Sequence, residues 1–502
     1  MSGRSMVPAA FPPASTVINS LAFPSGREAK LFSPRRGKTN LIFSATEKAL
    51  SSRFQTPRGS SPVMALYALA SGMVEPVFME LMKNKVCLVD LQLSPDVCRN
   101  LMNETAAVEV QTGMMQVKTY EALIDAVSCV VFSIFLGSWT DEFGRKIFLF
   151  IPFIGYVVAY AYTTAYTYFQ MSAYYLLVTP FLYYCTGAML CFNTALYSFL
   201  GDYTTEANRA INVAVIVALR TVSRDAGGVL GGHMLETYGD SAPFYLITLL
   251  FLAGFLYVFF FIHDLAPFHS PKRCRCGSAL ACHRANDGWH AVARPRAGRR
   301  RLLLWVMLFC LLLIGICISA DISVHQFYLE FGPFFWTLLE FTVFYLVVGV
   351  VESVVTVLTV LLLKLKLNMP DAVLGVLAIL SAMASLLVYG FDDSPGTVYI
   401  AGAVGVFRML ALVAAQSIIM GIAERHEMGK VVTIMIAQLG TAPLFSQLIF
   451  SSIFAQTKTY WPGLAWIVGA VILMPVLIGF CAAYVIQKRP IKKEIPASPG
   501  NR

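Results

Sequence analysis

The chain contains twelve apolar runs, each long enough to cross a lipid bilayer. A membrane-spanning helix needs about 20 mostly apolar residues, and a helix satisfies its own backbone polar groups inside hydrocarbon. Because 57% of the 502 residues are hydrophobic and 13% are charged, an ordinary soluble protein is excluded. We therefore expect an all-α polytopic membrane protein. The predicted spans are 62–82, 119–139, 147–168, 173–200, 208–232, 242–262, 302–323, 338–362, 371–390, 397–421, 431–454 and 463–486.

Lysine and arginine fall mainly on one side of these spans. Cytoplasmic loops retain cations, whereas short translocated loops do not. With both termini in the cytoplasm, the inner segments hold 30 of the 38 cationic residues. The outer segments hold five, namely Lys83, Lys85, Arg99, Lys118 and Lys458. This bias predicts cytoplasmic termini and accounts for the net charge of +9, so the charge does not indicate a nucleic-acid partner.

Composition divides the chain into five parts. Residues 1–61 are rich in serine, proline and basic residues, which predicts a disordered cytoplasmic tail, although a mitochondrial transit peptide has similar composition. A six-helix bundle is expected over 62–263, and a second one over 302–486. The basic segment 264–301 reads as a cytoplasmic linker that can contact anionic lipid, and 487–502 forms a second tail.

Three residues of the first outer loop suggest covalent modification. Cys87 and Cys98 would face an oxidising compartment if this loop is extracellular, and they either form a disulfide or remain free. Asn103 begins a sequon on the same side. Zinc binding is not expected from the cysteines and histidine of the linker, because their spacing lacks the pairing of structural sites; these are Cys274, Cys276, Cys282 and His283. No metal or other cofactor is predicted.

The loop after the second span has the sequence G-x-x-x-D-x-x-G-R-K. Gly137 permits close helix packing, and Asp141 can meet a cation or a helix N-terminus. Gly144 allows a tight reversal, while Arg145 and Lys146 hold the loop in the cytoplasm. The motif resembles the loop between helices two and three of major facilitator superfamily transporters. It predicts a gating latch; the alternative is an ordinary basic turn.

Acidic residues inside the spans are candidates for proton exchange. A carboxylate within hydrocarbon costs on the order of 2.5 to 3.5 kcal/mol unless it faces a cavity or a partner. Glu75 in the first span and Glu352 in the eighth meet this description, and either could instead form a structural ion pair. Asp321 lies near the predicted outer end of the seventh span with His325 following, where the two could titrate together or lie at the wet interface.

Arginines inside the spans suggest an anionic solute. Arg220 and Arg224 share one face of the fifth span, whereas Asp225 points about 100° away. Arg408 lies at mid-depth in the tenth span. Guanidinium groups suit a carboxylate, but each arginine could instead be neutralised by an acid on another helix, such as Glu75 or Glu352. The glycines after Asp225 are expected to be close-packing points.

Several stretches together resemble solute carrier family 46, the proton-coupled folate transporter group. They are Val86-Cys87 through Cys98-Leu101, Gly137 to Lys146, Leu230 to His233, Asp321-Ile322 and Glu427 to Val431. The similarity runs from about residue 62 to 486. It implies a major facilitator fold of twelve transmembrane helices in two six-helix halves. It also implies alternating access and inward, proton-coupled movement of folates or other organic anions.

Two departures from the family put folate itself in doubt. Gln416 stands where members usually have arginine in the tenth helix, with Arg408 two turns earlier, and Arg220 and Arg224 replace acidic or neutral residues. The loop 363–370, which corresponds to the motif in the second half, has lost its acid and glycines, so the latch is expected on one side.

We therefore expect a secondary transporter of an organic anion and protons, with the lipid bilayer as its other partner. The alternative is a transporter-like receptor or scaffold that binds without translocating. No clustered nucleophile and base suggest an enzyme. The plasma membrane is the expected location, with an endosomal or lysosomal membrane as the alternative. The sequence does not indicate the oligomeric state.

Overall fold

The structure is a computed structural model, and within the residues that it describes every regular element is a helix. The expected all-α class is confirmed. The described residues are 60–99, 104–143, 145–204, 206–262, 292–296, 299–331, 336–391, 394–424, 427–457, 461 and 463–488.

The first six long helices correspond to the first six predicted spans. Helix α4 is divided into a short 3-10 turn and two α-helical segments. The bounds are α1, Ser60–Lys85 with a π-helical turn Val86–Asp90; α2, Glu104–Phe143; α3, Lys146–Thr167; α4, Ala173–Leu177, Val178–Tyr184 and Ala188–Tyr203; α5, Glu206–Tyr238; and α6, Ala242–Phe261.

The last six long helices correspond to the remaining spans, and three of them change conformation along their length. The bounds are α7, Arg300–Phe331; α8, Leu338–Thr359 with the π-helical stretch Val360–Lys366; α9, Asp371–Gly390; α10, Pro395–Val404 and Met409–Ile422; α11, Met428–Ser446, Gln447–Ser451 and Ser452–Thr457; and α12, Leu464–Lys488.

Eleven of these helices are long and apolar enough to cross a membrane, and the helix that falls short is α5. It has 33 residues, so its length is sufficient, but Arg220, Arg224 and Asp225 lower its hydropathy. Helix α5 packs between α1 and α8 and also contacts α10. Its polar side chains therefore face protein rather than lipid, which explains how so polar a helix occupies this position.

Two faces of α5 are built from adjacent glycines. A Cβ at Gly227 would collide with the carbonyl oxygen of Leu69, so the α1 backbone lies directly on this residue. A Cβ at Gly228 would find Thr342 of α8 at an ordinary 3.6 Å. The next glycine pair repeats this pattern one turn later. The predicted close packing thus holds for the face toward α1, while the face toward α8 is looser.

Contacts between the two halves run mainly through α2 with α11, α4 with α11, and α5 with α8 and α10. The start of α11 is a close contact point. The position of a Cβ on Gly137 lies 2.8 Å from the Cα of Lys430, and that on Gly201 lies 3.0 Å from the sulfur of Met428. The first residue of the motif therefore packs against the other half, as helix-approach glycines do.

The segment after α1 is tied to the neighbouring loop. Cys87 and Cys98 form a disulfide with their Cα atoms 5.9 Å apart. The side chain of Asp90 accepts the backbone N–H of Ala173 at 3.1 Å, and Lys85 donates to the carbonyl oxygen of Phe169 at 2.5 Å. These contacts fix the end of α1 against the entry to α4.

Candidate functional site

A cleft of about 470 Å³ lies between α1, α5 and α8, at the boundary of the two halves. Its walls carry Glu75 from α1, Arg224 and Asp225 from α5, and Thr342 and Tyr345 from α8. The cleft is open, so this empty space includes solvent outside it. Two groups of charged side chains adjoin this cleft.

The first group is centred on Arg408, which lies where α10 is interrupted. Ser381 of α9 donates its hydroxyl to the carbonyl of Val404 at 2.6 Å and accepts the N–H of Phe407 at 3.3 Å. A serine thus satisfies backbone groups that the broken helix leaves unpaired. Interrupted helices with ion-binding residues at the break are common in transporters. The interruption was not expected from the sequence.

Arg408 bridges two carboxylates from different helices. Its Nη1 lies 2.5 Å from Oδ2 of Asp321 on α7, and its Nε lies 2.6 Å from Oε1 of Glu352 on α8. Glu352 is only 1% exposed. A buried carboxylate needs such a partner, because removing one member of a buried pair typically costs about 3 to 5 kcal/mol. The predicted anion-binding arginine is therefore already engaged by two of the predicted proton sites.

Asp321 and His325 lie deeper in the protein than the sequence suggested. Helix α7 continues beyond Asp321 to Phe331, and His325 is 1% exposed, so protein rather than solvent surrounds the imidazole. Nδ1 of His325 lies 2.8 Å from the Tyr345 hydroxyl and 3.6 Å from Asp321 Oδ1. The Tyr345 hydroxyl also donates to the backbone carbonyl of Asp321. Tyr345 thereby links the cleft to the pair.

Arg224 and Asp225 pair with each other, although adjacent positions on a helix point in different directions. Nε and Nη2 of Arg224 both lie 3.1 Å from Oδ1 of Asp225, because the long arginine side chain folds back over the shorter one. The Asp225 carboxylate lies over Gly349 of α8, where a Cβ would displace it, and its charge interacts with Arg408. We call Arg224, Asp225, Asp321, Glu352 and Arg408 the Arg408 cluster.

Arg220 does not line the cleft with Arg224. It lies near the hydroxyl of Tyr197 on α4, where Gln416 of α10 also approaches. The three predicted anion-binding arginines therefore occupy two places. Gln416, singled out as a departure from the family, is fully buried and lies beside Arg220 rather than beside Arg408.

The second group of charges lies in the first half and was not predicted as a group. Lys118 Nζ is 2.9 Å from Glu75 Oε1 and 3.0 Å from Glu121 Oε2. One turn further along α2, the Sγ of Cys129 donates to Asp125 Oδ1 at 3.3 Å. We call Glu75, Lys118, Glu121 and Asp125 the Lys118 cluster.

The assignment of Lys118 to the outer loop is wrong, because α2 begins at Glu104 and Lys118 is buried within it. Its two carboxylate partners allow the charge to be buried. The pairing of Glu75 with Lys118 also excludes Glu75 as the ion-pair partner of Arg220 or Arg224 in this structure. The spacing of Lys118, Glu121 and Asp125 on one helical face is the sequence signal that could have identified the group.

Some predicted positions lie outside the described residues. They are Asn103, Gly144, the four cysteine and histidine positions of the linker, and the side chain of Asp141. Arg145 directly precedes α3. Lys146 donates to the carbonyl of Phe259 near the end of α6 at 3.0 Å, which is a favourable position for a cation. After the loop 363–370, Asp371 pairs with Lys364 at 2.5 Å, so this loop has an acidic partner in the first residue of α9.

Comparisons with known proteins give the family. The sequence profile described as Major Facilitator Superfamily matches residues 122–403. The Drosophila melanogaster protein named "Probable peptidoglycan muropeptide transporter SLC46" is 24% identical over 73% of this chain and 73% of its own length. The Gallus gallus "Lysosomal proton-coupled steroid conjugate and bile acid symporter SLC46A3" is 21% identical over 82% of this chain and 90% of its own length.

A solved structure supports the same fold. The crystal structure of the human organic anion transporter MFSD10 (TETRAN) superimposes with a TM-score of 0.65 at 14% sequence identity, covering 85% of this chain and 100% of that one. The relatives are membrane transporters, and the resemblance to solute carrier family 46 is confirmed at this level. The chain is a multi-pass membrane protein that belongs to the major facilitator superfamily.

Proposed function

We propose that the protein is a secondary transporter of a carboxylate-bearing organic anion, and that protons drive uptake by freeing Arg408. The observation that carries this proposal is the double engagement of Arg408 by Asp321 and Glu352 beside the cleft. An arginine held in this way has no guanidinium edge to offer until one acid is neutralised. Proton binding and anion binding would therefore be linked through one side chain.

Glu352 is the acid whose protonation would release Arg408. It is almost fully buried, whereas the side chain of Asp321 is 14% exposed. Desolvation disfavours the charged form of a carboxylic acid, so the more buried Glu352 is the more easily neutralised of the two. A substrate carboxylate would then replace it on the planar guanidinium, which favours two parallel hydrogen bonds.

The cleft offers the route to this arginine. Arg224 is 28% exposed and would attract an anion into the cleft. Tyr345 lines the cleft and hydrogen-bonds to the Asp321 backbone, so it lies between the entrance and the Arg408 cluster. Arg220 lies near Tyr197 and Gln416, so the solute would meet Arg220 after it has met Arg224.

Transport would follow from relative motion of the two halves. The Arg408 cluster draws Asp225 from the first half and Asp321, Glu352 and Arg408 from the second, so its charges would be rearranged when the halves move. The Gly137 contact with the start of α11 would hold the side that carries the motif closed, with Asp141 and Arg145 as its latch. We propose that this is the cytoplasmic side, and that the membrane is the plasma membrane or that of an endosome or lysosome.

The charges of the site indicate the chemical class of the solute but not its identity. The names of the relatives refer to muropeptides, steroid conjugates and bile acids, so these relatives are named for different solutes. With Gln416 in place of the usual arginine, the charges near Arg220 differ from those of folate carriers. We therefore propose a carboxylate solute without assigning folate.

The test is uptake into proteoliposomes at stepped external pH, with a panel of folates, bile acids and muropeptides. Uptake by the wild type should increase as the external pH falls. Glu352→Gln should transport at a rate that no longer depends on pH, because its neutral amide leaves Arg408 available at every pH. The matched control is Glu340→Gln on the same helix, which replaces an exposed capping residue and should retain the pH dependence.

Three outcomes would count against the proposal. A pH profile in Glu352→Gln that matches the wild type would remove Glu352 from coupling. Uptake unaffected by loss of Arg408 would remove the anion site. Saturable binding of a solute without uptake would favour a receptor; in that case Asp141→Asn would leave binding intact.

A further inference from the structure

We propose that the Lys118 cluster is a second proton-binding site, in which Glu121 and Asp125 share at least one proton. This proton is needed because the single positive charge of Lys118 cannot neutralise all the acids of the cluster. This inference rests on the proposed function only for its role in coupling. The binding of the proton itself follows from the local geometry and can be measured without any transported solute.

The charge balance of the cluster is the first argument. Three carboxylates, on Glu75, Glu121 and Asp125, lie along one ammonium group. Lys118 contacts Glu75 and Glu121 directly, while Asp125 interacts with two neutral donors, the Tyr184 hydroxyl and the Cys129 thiol. If every acid were ionised, the cluster would carry two uncompensated negative charges in the membrane interior, which is strongly unfavourable. Protonation is the simplest way to remove them.

The surroundings of the cluster do not supply the missing positive charge. The titratable groups near Glu121 and Asp125 are thiols and phenols, apart from the cluster itself. They are Tyr67 of α1, Cys129 of α2, Tyr160 of α3, and Tyr183, Tyr184 and Cys191 of α4. Arg220 of α5 is near Tyr67 rather than near either acid. Within the described residues, Lys118 is therefore the cation that pairs with this group.

The geometry favours a proton over a metal ion. Lys118 Nζ already occupies the position between Glu75 and Glu121 that a metal cation would need. No group of three or more potential metal ligands was found among the residues that the structure describes. A proton needs no coordination sphere and can bind to a single carboxylate oxygen.

The cluster also has a route for proton entry. Glu75 lines the cleft with a side chain that is 36% exposed, Lys118 is 9% exposed and Glu121 is 18% exposed. Asp125 follows one helical turn beyond Glu121, a rise of about 6 Å. The acids thus form a short series from the cleft into the first half. Members of the Arg408 cluster are not among the charges found to act on Glu121 or Asp125, so the two sites can bind protons separately.

The experiment counts protons released by the purified, solute-free protein when the pH is raised from about 6 to about 8, well above the pKa near 4 of an exposed carboxyl group. Glu121→Gln and Asp125→Asn are nearly isosteric. We expect at least one of them to lower the count by up to about one proton per chain. The matched control is Glu109→Gln, an exposed residue on the same helix, which should leave the count unchanged because it lies outside the cluster.

The outcomes separate this inference from the proposed function. Counts equal to the wild type in both Glu121→Gln and Asp125→Asn would overturn it, because neither acid would then exchange a proton in this pH range. If one variant does not fold, the proton count of the other decides: a lower count supports the inference, and a count equal to the wild type overturns it. Glu352→Gln tests the Arg408 cluster in the same assay. If uptake loses no pH dependence in Glu352→Gln while Asp125→Asn lowers the proton count, the proposed coupling fails and the second site stands.

Discussion

The two charged clusters differ in their position relative to the two halves of the protein: one lies within the first half, and the other joins both halves. The Lys118 cluster takes its side chains from α1 and α2, which both belong to the first half. The Arg408 cluster joins α7, α8 and α10 of the second half and, through Asp225, α5 of the first. A rearrangement of the two halves would therefore disturb the Arg408 cluster and leave the Lys118 cluster intact. The Arg408 cluster is therefore suited to responding to the conformational change. The Lys118 cluster is suited to keeping its charge state while the conformation changes.

The cation at the centre of each cluster suits this difference. Arginine has a planar fork that binds two carboxylates in fixed directions and remains charged. Nη1 of Arg408 donates to Asp321, while Nε lies 2.6 Å from Glu352 as a charge pair without hydrogen-bond geometry. Lysine is a flexible point charge, and Lys118 bridges acids on adjacent helices of one rigid bundle. An exchange of partners, such as an acid for a substrate, is therefore expected at Arg408.

The largest effect should come from Arg408→Gln. Removing the guanidinium leaves Glu352 buried without its partner, and breaking a buried pair costs about 3 to 5 kcal/mol. Thermal unfolding of the purified protein should show a strong loss of stability and no anion uptake. The double variant Arg408→Gln/Glu352→Gln should recover most of the stability but not the uptake. A single variant as stable as the wild type would show that the pair is not buried as described.

Lys118→Met should have the next largest effect, with a characteristic pH dependence. Glu75 and Glu121 are partly exposed, so the loss should be smaller than at Arg408, about 1 to 3 kcal/mol near neutral pH. As the pH falls, the acids become protonated and no longer need the ammonium, so the loss should shrink. Melting curves at pH 5.5 and 8 test this sign.

The matched control for that experiment is Lys83→Met, which removes a partner of Glu80 near the end of α1, the helix that carries Glu75. Such partly exposed pairs contribute about 0 to 1 kcal/mol, so little change is expected at either pH. A deficit in Lys118→Met that grows as the pH falls would contradict the assignment of ionised acids around Lys118.

A pair of adjacent glycines tests the difference between packing within a half and packing between halves. Gly227→Ala places a methyl group on the α1 backbone and should cost about 1 to 3 kcal/mol. Gly228→Ala meets only ordinary contacts, with Thr342 and with the carbonyl oxygen of Gly72, and should be nearly neutral in stability. Thermal unfolding of the two variants measures the difference. Equal losses would mean that the α5–α8 contact is as tight as the α1–α5 contact.

The fold and the polar positions could be predicted from the sequence because they depend on local patterns. Apolar run length identified twelve helices, and depth in a span singled out Glu352 and Arg408. Partner choice was not predictable, since the ion pair of these two residues depends on how α8 and α10 are placed. Lys118 was misplaced for a similar reason: α2 extends well beyond the apolar run, and a charge count cannot locate the end of a helix.

Glu75→Gln should have the smallest effect and separates the roles of the two acids that contact Lys118. The Glu75 side chain is 36% exposed, so solvent screens its charge, and Glu121 remains to neutralise the lysine. We expect a change in stability within about 1 kcal/mol, measured by thermal unfolding beside Glu121→Gln. Because the glutamine amide keeps its contact with the cleft but cannot carry a proton, proton exchange between cleft and cluster should slow in stopped-flow pH jumps while the final count stays nearly the same. A large loss of stability would instead make Glu75 the main support of Lys118, and the series of acids leading inward from the cleft would lose its first member.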